Sequence, residues 1–145
     1  MASRKKPTDW HKRFKSAREP HIVTLQSNFA GVKAGMQMLI SSPGEIADYV
    51  ARIPQGEVKT IARLRSDLAH RAKADAMCPV TTSIFLKVVA EVSLVDLAAG
   101  KPTTEVVPFW RIIEPTSKLA SKISCGRDGI EHYLRLDGYE LADDR

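Results

Sequence analysis

Apolar residues recur with helical spacing in four segments of the chain, which predicts four helices. A capping-box pattern marks the start of the first helix: Ser42 is followed by Pro43 and, three residues after the serine, by Glu45. Thr60 is placed to cap the second, while Gly100 ends the third, which begins near Pro79. The four segments are residues 42–53, 60–71, 79–99 and 128–138.

Other stretches carry the β-branched and aromatic residues that favour strands. "HIVTLQSNF" (21–29) predicts a short strand, the loop "AGVKAG" follows, and "MQML" (36–39) predicts a second strand. "EVVPFWRII" (105–113) predicts a strand kinked at Pro108, and "SKLASKIS" (117–124) has weak hairpin character. The whole pattern predicts an α+β domain that is mainly helical, with a small sheet.

The length and the charge distribution refine this picture. A chain of 145 residues with 43% hydrophobic and 27% charged residues is typical of one soluble domain, and no apolar stretch reaches the roughly 20 residues of a membrane helix. Residues 1–19 hold seven basic and two acidic residues, which accounts for the whole net charge of +5. We therefore expect a basic N-terminal arm (1–19) before a domain covering 20–145. With no secretory signal in view, the cytoplasm is the expected location.

The basic arm suggests contact with nucleic-acid phosphates. Arg4, Lys5 and Lys6 would neutralise phosphates, and Trp10 and Phe14 would supply rings for stacking. The alternative is a solubilising tail whose two aromatic side chains dock on the domain. Both alternatives stay open at this level.

Metal and cofactor chemistry have little support in the sequence. Cys78 and Cys125 form no CxxC pair, and the four histidines lie far apart without ligand spacing. We predict no metal site and no cofactor.

Several motifs resemble a known family. "IPQGEVKTI" (53–61), "PFWR" (108–111) and "YLRLDG" (133–138) follow one another as the corresponding motifs do in alkylguanine-DNA alkyltransferases and alkyltransferase-like proteins. "CPVTTSIF" (78–85), with "DWHKRF" and "MQMLISSPGEI", is similar to a bacterial branch marked by CPxTT and P[YF]WR motifs. The resemblance implies a winged helix-turn-helix DNA-binding domain of the alkyltransferase type.

The same resemblance implies that the usual reaction is absent. Phe109 stands where those transferases have the nucleophilic cysteine, Trp110 where they have the histidine, and Asp137 near the position of the glutamate. A phenyl ring has no lone pair for attack and an indole is no general base. The family's base-flipping tyrosine corresponds to Ile61 and its intercalating arginine falls near Ser83. We predict no catalytic residue.

The predicted contacts form two groups. The DNA-binding group combines the basic arm with hydroxyls and cations near the starts of the helices at Thr60 and Pro79. The base-pocket group is the "PFWR" motif, with its two aromatic rings and its arginine. Ordinary capping explains the hydroxyls equally well, and a buried core explains the two rings equally well. Arg111 is expected to pair with an acid such as Asp137. The DNA-binding residues are Arg4, Lys5, Lys6, Thr60, Arg63, Thr81, Thr82, Ser83 and Lys87, and the base-pocket residues are Phe109, Trp110 and Arg111.

The sequence therefore favours a non-catalytic, nucleoid-associated protein that recognises damaged or modified double-stranded DNA and hands it to a repair partner. The helix that begins near Pro79 has no Arg, Asn or Gln in its first turns to address base edges, so sequence-specific reading is not expected. One alternative is an interaction module on a retired transferase fold. Another is an enzyme that hydrolyses a modified base through Asp137 or Glu114.

Overall fold

The computed structural model describes residues 6–141, and within that range the chain forms six α-helices and a small three-stranded sheet. This confirms the mainly helical α+β class. The helices are α1 (Trp10–Ser16), α2 (Pro43–Ala51), α3 (Ile61–Arg71), α4 (Pro79–Ala98), α5 (Lys118–Lys122) and α6 (Gly126–Leu136). The strands are β1 (His21–Thr24), β2 (Gln37–Ile40) and β3 (Ala76–Met77), and two 3-10 turns cover Thr103–Glu105 and Phe109–Arg111.

The four helices predicted from the apolar spacing are present, and their caps explain where they begin. Ser42 Oγ accepts the Glu45 amide at 3.1 Å, and Thr60 Oγ1 accepts the Arg63 amide at 3.0 Å. The Glu45 carboxylate accepts the hydroxyl of Ser41 at 2.7 Å, so only half of the expected capping box forms. Side-chain oxygens at these positions satisfy amides that a helix start leaves unpaired.

The sheet has the order β1-β2-β3, with β1 antiparallel to β2 and β2 parallel to β3. Strand β1 ends at Thr24, earlier than the predicted 21–29, because the chain then turns back at a tight bend bridged by Phe29 and Val32. Ala30 and Gly31 between them have φ of 48° and 85°. This left-handed conformation suits glycine and strains alanine. The sequence gives no sign of the two-residue β3.

Two predicted elements are wrong. Residues 105–113 form no strand: the amides of Ile112 and Ile113 both donate to the Phe109 carbonyl, which closes a 3-10 turn. Residues 117–124 form no hairpin, because Ser117 Oγ accepts the Ala120 amide at 3.1 Å and starts the short α5. In both places local hydrogen bonds replace the strand ladder that an apolar run suggested.

The main core lies between α2, α3, α4, α6 and the second 3-10 turn. Phe109 and Trp110 are among its largest fully buried side chains. Helix α1, inside the predicted arm, packs on α4, where His11 Nε2 lies 2.9 Å from Asp96 Oδ1. Phe14 contacts the main core. The arm is thus partly a docked helix, and within residues 6–141 no helix has the length and apolar character to cross a membrane.

Candidate nucleic-acid interface

A groove of about 430 Å³ lies where α1, α4 and α5 meet. Its polar lining consists of an indole, a hydroxyl and four cationic side chains, with three apolar side chains completing the surface. No acidic residue of the described chain lines it. The polar residues are Trp10, Arg13, Ser83, Lys87, Lys118 and Lys122, and the apolar ones are Ile84, Val88 and Leu119.

Helical spacing explains why these side chains converge. Trp10 and Arg13 are three residues apart on α1, Ser83 and Lys87 are four apart on α4, and Lys118 and Lys122 are four apart on α5. Residues three or four apart lie on one face of a helix. Three helices that each present one pair therefore bring side chains from distant parts of the chain, between Trp10 and Lys122, to a single surface.

The groove is electrostatically unbalanced. Arg13, Lys87, Lys118 and Lys122 take part in no carboxylate pair within residues 6–141. The guanidinium carbon of Arg13 lies over the Trp10 ring, 5.5 Å from its centroid, and Lys87 Nζ lies over the same ring at 5.7 Å. A concave surface lined by one sign of charge focuses a positive field. Phosphate is the ligand chemistry that such a field attracts.

The groove contains two of the predicted DNA-binding residues, Ser83 and Lys87. Lys6 is exposed outside it, while Arg4 and Lys5 lie outside the described residues. Thr60 caps α3 and Arg63 lies in its first turn, both away from this lining, and Arg63 Nε pairs with Asp67 at 3.0 Å. The structure thus separates the two helix starts that the sequence grouped together.

Two predicted phosphate contacts do not fit the structure. Thr82 has 0% of its surface exposed and its hydroxyl donates to the Cys78 carbonyl at 2.6 Å. The Thr81 hydroxyl oxygen is buried without a hydrogen-bond partner. In this conformation neither hydroxyl reaches solvent, because the α4 start turns both inward. Of the three residues, only Ser83 is exposed.

The predicted base pocket is filled by its own side chains. Phe109 is 0% and Trp110 1% exposed. Their ring centroids are 5.2 Å apart in an edge-to-face contact, and Trp110 stacks on Tyr133 at 4.9 Å. No ring face is free for an extruded base, so the core interpretation describes both residues. An apolar cleft of about 230 Å³ borders Trp110, Arg111 and Thr60, but Phe109 does not line it.

The predicted pairing of Arg111 with Asp137 is confirmed. Arg111 Nε and Nη2 donate to the two carboxylate oxygens at 2.7 and 3.0 Å, Trp110 Nε1 donates at 2.8 Å, and Arg111 Nη1 donates to the Ile53 carbonyl at 2.8 Å. Burial raises the pKa of Asp137, but the hydrogen bonds from Arg111 and Trp110 outweigh it and hold the pKa below the usual value. Both carboxylate oxygens are therefore engaged in holding the 3-10 turn against the end of α6.

Sequence reasoning missed Lys118 and Lys122 as groove residues. Their four-residue spacing is the signal of a common helix face, but the segment was assigned to a hairpin, in which they would not align. Arg13 belongs to the basic arm, yet nothing in the sequence indicates that its helix docks beside Lys87.

No family model, curated protein or solved structure matches this chain. Within residues 6–141, His, Cys, Asp and Glu side chains form no group of three or more that suits a metal ion.

Proposed function

We propose that this protein is a non-catalytic DNA-binding protein of the alkyltransferase-like kind, which holds damaged or modified duplex and presents it to a repair partner. The observation that carries the proposal is the basic groove between α1, α4 and α5. Its four cations have no carboxylate partner in the described chain, and two of its residues, Ser83 and Lys87, belong to the helix that the resemblance assigns to DNA. An unpaired cationic surface of this kind supports binding to a polyanion.

The finer fold assignment belongs to the same proposal. In a winged helix-turn-helix of the alkyltransferase type, α3 and α4 would be the two helices of the motif. Thr82 is buried and Ser83 is exposed, so one side of the start of α4 faces the core and the other faces the groove. This orientation is compatible with α4 lying against DNA.

A binding role without chemistry is supported by the aromatic motif. Phe109 stands at the transferase cysteine's position and is wholly buried, and Asp137 is held by Arg111 and Trp110. An inert ring and a carboxylate with both oxygens engaged leave no nucleophile or free base at this place. The hydrolytic alternative through Asp137 loses support for the same reason.

The experiment is a titration of labelled duplex with the intact protein at low salt, with and without an O-alkylated guanine. We expect binding to both duplexes and tighter binding to the alkylated one, with no alkyl group transferred to the protein. The double variant Lys118→Ala/Lys122→Ala should bind more weakly. The matched control Lys33→Ala/Arg135→Ala removes the same charge from exposed positions outside the groove and should bind as the wild type does.

Absence of binding to either duplex at low salt would refute the proposed function. Equal affinity for the two duplexes would refute the damage-recognition part alone and leave a general DNA-binding protein.

A further inference from the structure

Trp10 is already occupied by protein cations. The Arg13 guanidinium and the Lys87 ammonium lie over its ring at 5.5 and 5.7 Å from the centroid. A nucleobase stacking on a face that these groups cover would have to displace them. Because Arg13 belongs to α1 and Lys87 to α4, the indole links cations from two helices in one arrangement.

Helix α5 supplies a second pair of cations. Lys118 and Lys122 are one turn apart on α5, which places them about 6 Å apart along the helix axis. This separation is comparable with that of neighbouring phosphates along a nucleic-acid strand. The groove thus presents two pairs of cations around a shared hollow.

The lining has almost nothing that reads a base. Ser83 is its one uncharged hydrogen-bonding side chain apart from the indole, and it contains no Asn or Gln. Base edges are distinguished by bidentate amides and guanidiniums that approach them in the plane of the base. The one guanidinium of the lining, Arg13, lies over the Trp10 ring, and the three lysine ammonium groups suit phosphates as point charges. The apolar residues Ile84, Val88 and Leu119 give a surface that suits sugar carbons rather than polar base edges.

We infer that the groove binds consecutive phosphates of one nucleic-acid strand, and that Trp10 is a positioning residue that holds Arg13 and Lys87 rather than a platform for a base. The inference rests on the proposed function, since it names how that protein grips its nucleic acid. Contacts within the groove are then independent of base identity and strongly dependent on salt, so the expected preference for an alkylated guanine comes from contacts outside the groove.

The first test measures how affinity for an unmodified duplex changes with salt. Each phosphate contact contributes about 0.9 to the slope of log affinity against log salt. Lys118→Ala/Lys122→Ala should therefore reduce the slope by about 1.8. The control Lys33→Ala/Arg135→Ala should leave the slope of the wild type. An unchanged slope in the Lys118→Ala/Lys122→Ala variant would overturn the inference while leaving the proposed function standing, whereas no binding by the wild type would end both.

The second test separates phosphates from bases. One duplex carries abasic spacers on one strand at the central steps, and another carries uncharged methylphosphonates at the same steps. We expect the abasic duplex to bind as the parent does and the methylphosphonate duplex to bind at least tenfold more weakly, since charge neutralisation removes the contacts. The reverse order of affinities would show that bases, not phosphates, fill the groove.

The third test addresses Trp10. Trp10→Ala removes no charge, but we expect its affinity to be about tenfold lower because Arg13 and Lys87 are no longer held in place. Trp10→Phe keeps a ring face and should retain most of the affinity. Thermal unfolding of both variants checks that α1 stays folded. Affinity of Trp10→Ala equal to wild type would refute the positioning role. Inorganic polyphosphate that competes as strongly as the duplex with abasic spacers would refute a nucleic-acid ligand, because the sugars would then contribute nothing.

Discussion

The Asp137 carboxylate is the best place to test the energetics of the fold. It accepts hydrogen bonds from Arg111 at 2.7 and 3.0 Å and from Trp110 at 2.8 Å, and the Arg111 and Asp137 side chains are only 15% and 9% exposed. The perturbation is Asp137→Ala. Asp48→Ala is the matched control, since Asp48 is exposed on α2 and has no ion pair within residues 6–141.

The magnitude follows from what the substitution leaves behind. The Arg111 guanidinium keeps one bond to the Ile53 carbonyl and the Trp110 indole N–H loses its acceptor. Removing one partner of a buried ion pair costs about 3–5 kcal/mol, and this range already includes much of the cost of unsatisfied donors. We therefore expect the free energy of unfolding to fall by about 4 kcal/mol, a large part of the total stability of a small domain.

The assay is urea unfolding followed by far-ultraviolet circular dichroism at neutral pH. Asp137→Asn keeps one acceptor oxygen and should cost about 1–3 kcal/mol, while Asp48→Ala should stay within about 0.5 kcal/mol of wild type. Because the folded-state pKa of Asp137 is lowered, its stabilisation is fully present above the ordinary pKa of an unfolded Asp and is lost as the pH falls through the folded-state pKa.

The stability gap between wild type and Asp137→Asn should accordingly narrow in that acidic window. A loss in Asp137→Ala no greater than in Asp48→Ala, or a gap that stays constant down to acidic pH, would refute this reasoning.

Three further substitutions test other contacts. The Tyr49 hydroxyl donates to Asp67, and burial, together with that hydrogen bond, raises the pKa of Tyr49 to about 12. Tyr49→Phe should lower the free energy of unfolding by about 1 kcal/mol and abolish the rise in phenolate absorbance near that pH. A rise that persists in the variant would belong to another tyrosine. Ala30→Gly relieves a left-handed alanine and should raise the unfolding free energy by about 0.5–1 kcal/mol, whereas Ala34→Gly in the same loop should not; equal effects would contradict the strain. Phe109→Ala should lose about 3–5 kcal/mol in urea unfolding, and a loss below about 1 kcal/mol would mean that the ring is not packed in the core.

The helices could be predicted from the sequence because their signals are local. Ser42 and Thr60 cap the amides three residues on, as their positions indicate. The strand predicted for residues 105–113 is wrong because an apolar stretch of that length fits a strand and a buried turn equally well. Only the packing of Phe109 and Trp110 against α6 decides between the two. Local patterns cannot supply that tertiary information.

The site was less predictable than the fold. Ser83 and Lys87 could be predicted from the sequence because they lie in the first turns of a helix with clear start signals. The rest of the groove comes from residues about 70 positions before and 30 after, on helices of seven and five residues that are too short for a clear periodic signal. The basic residues near the start of the chain left two alternatives open, a phosphate-binding arm or a solubilising tail whose aromatic side chains dock on the domain. Phe14 does contact the core, and His11 adds a contact with Asp96.

That attachment decides how this protein can be shortened. A fragment starting at Pro20, the boundary that the charge distribution suggests, would retain α2 to α6 but expose the side of α4 that α1 covers. The Asp96 carboxylate would lose its contact with His11 and, among the described residues, would keep its ion pair with Lys101 at 3.8 Å. Lys87 would lose its contact with the Trp10 ring. Such a fragment would therefore confuse the loss of positive charge with the loss of a structural wall, and substitutions within the 145-residue chain are needed to tell the two apart.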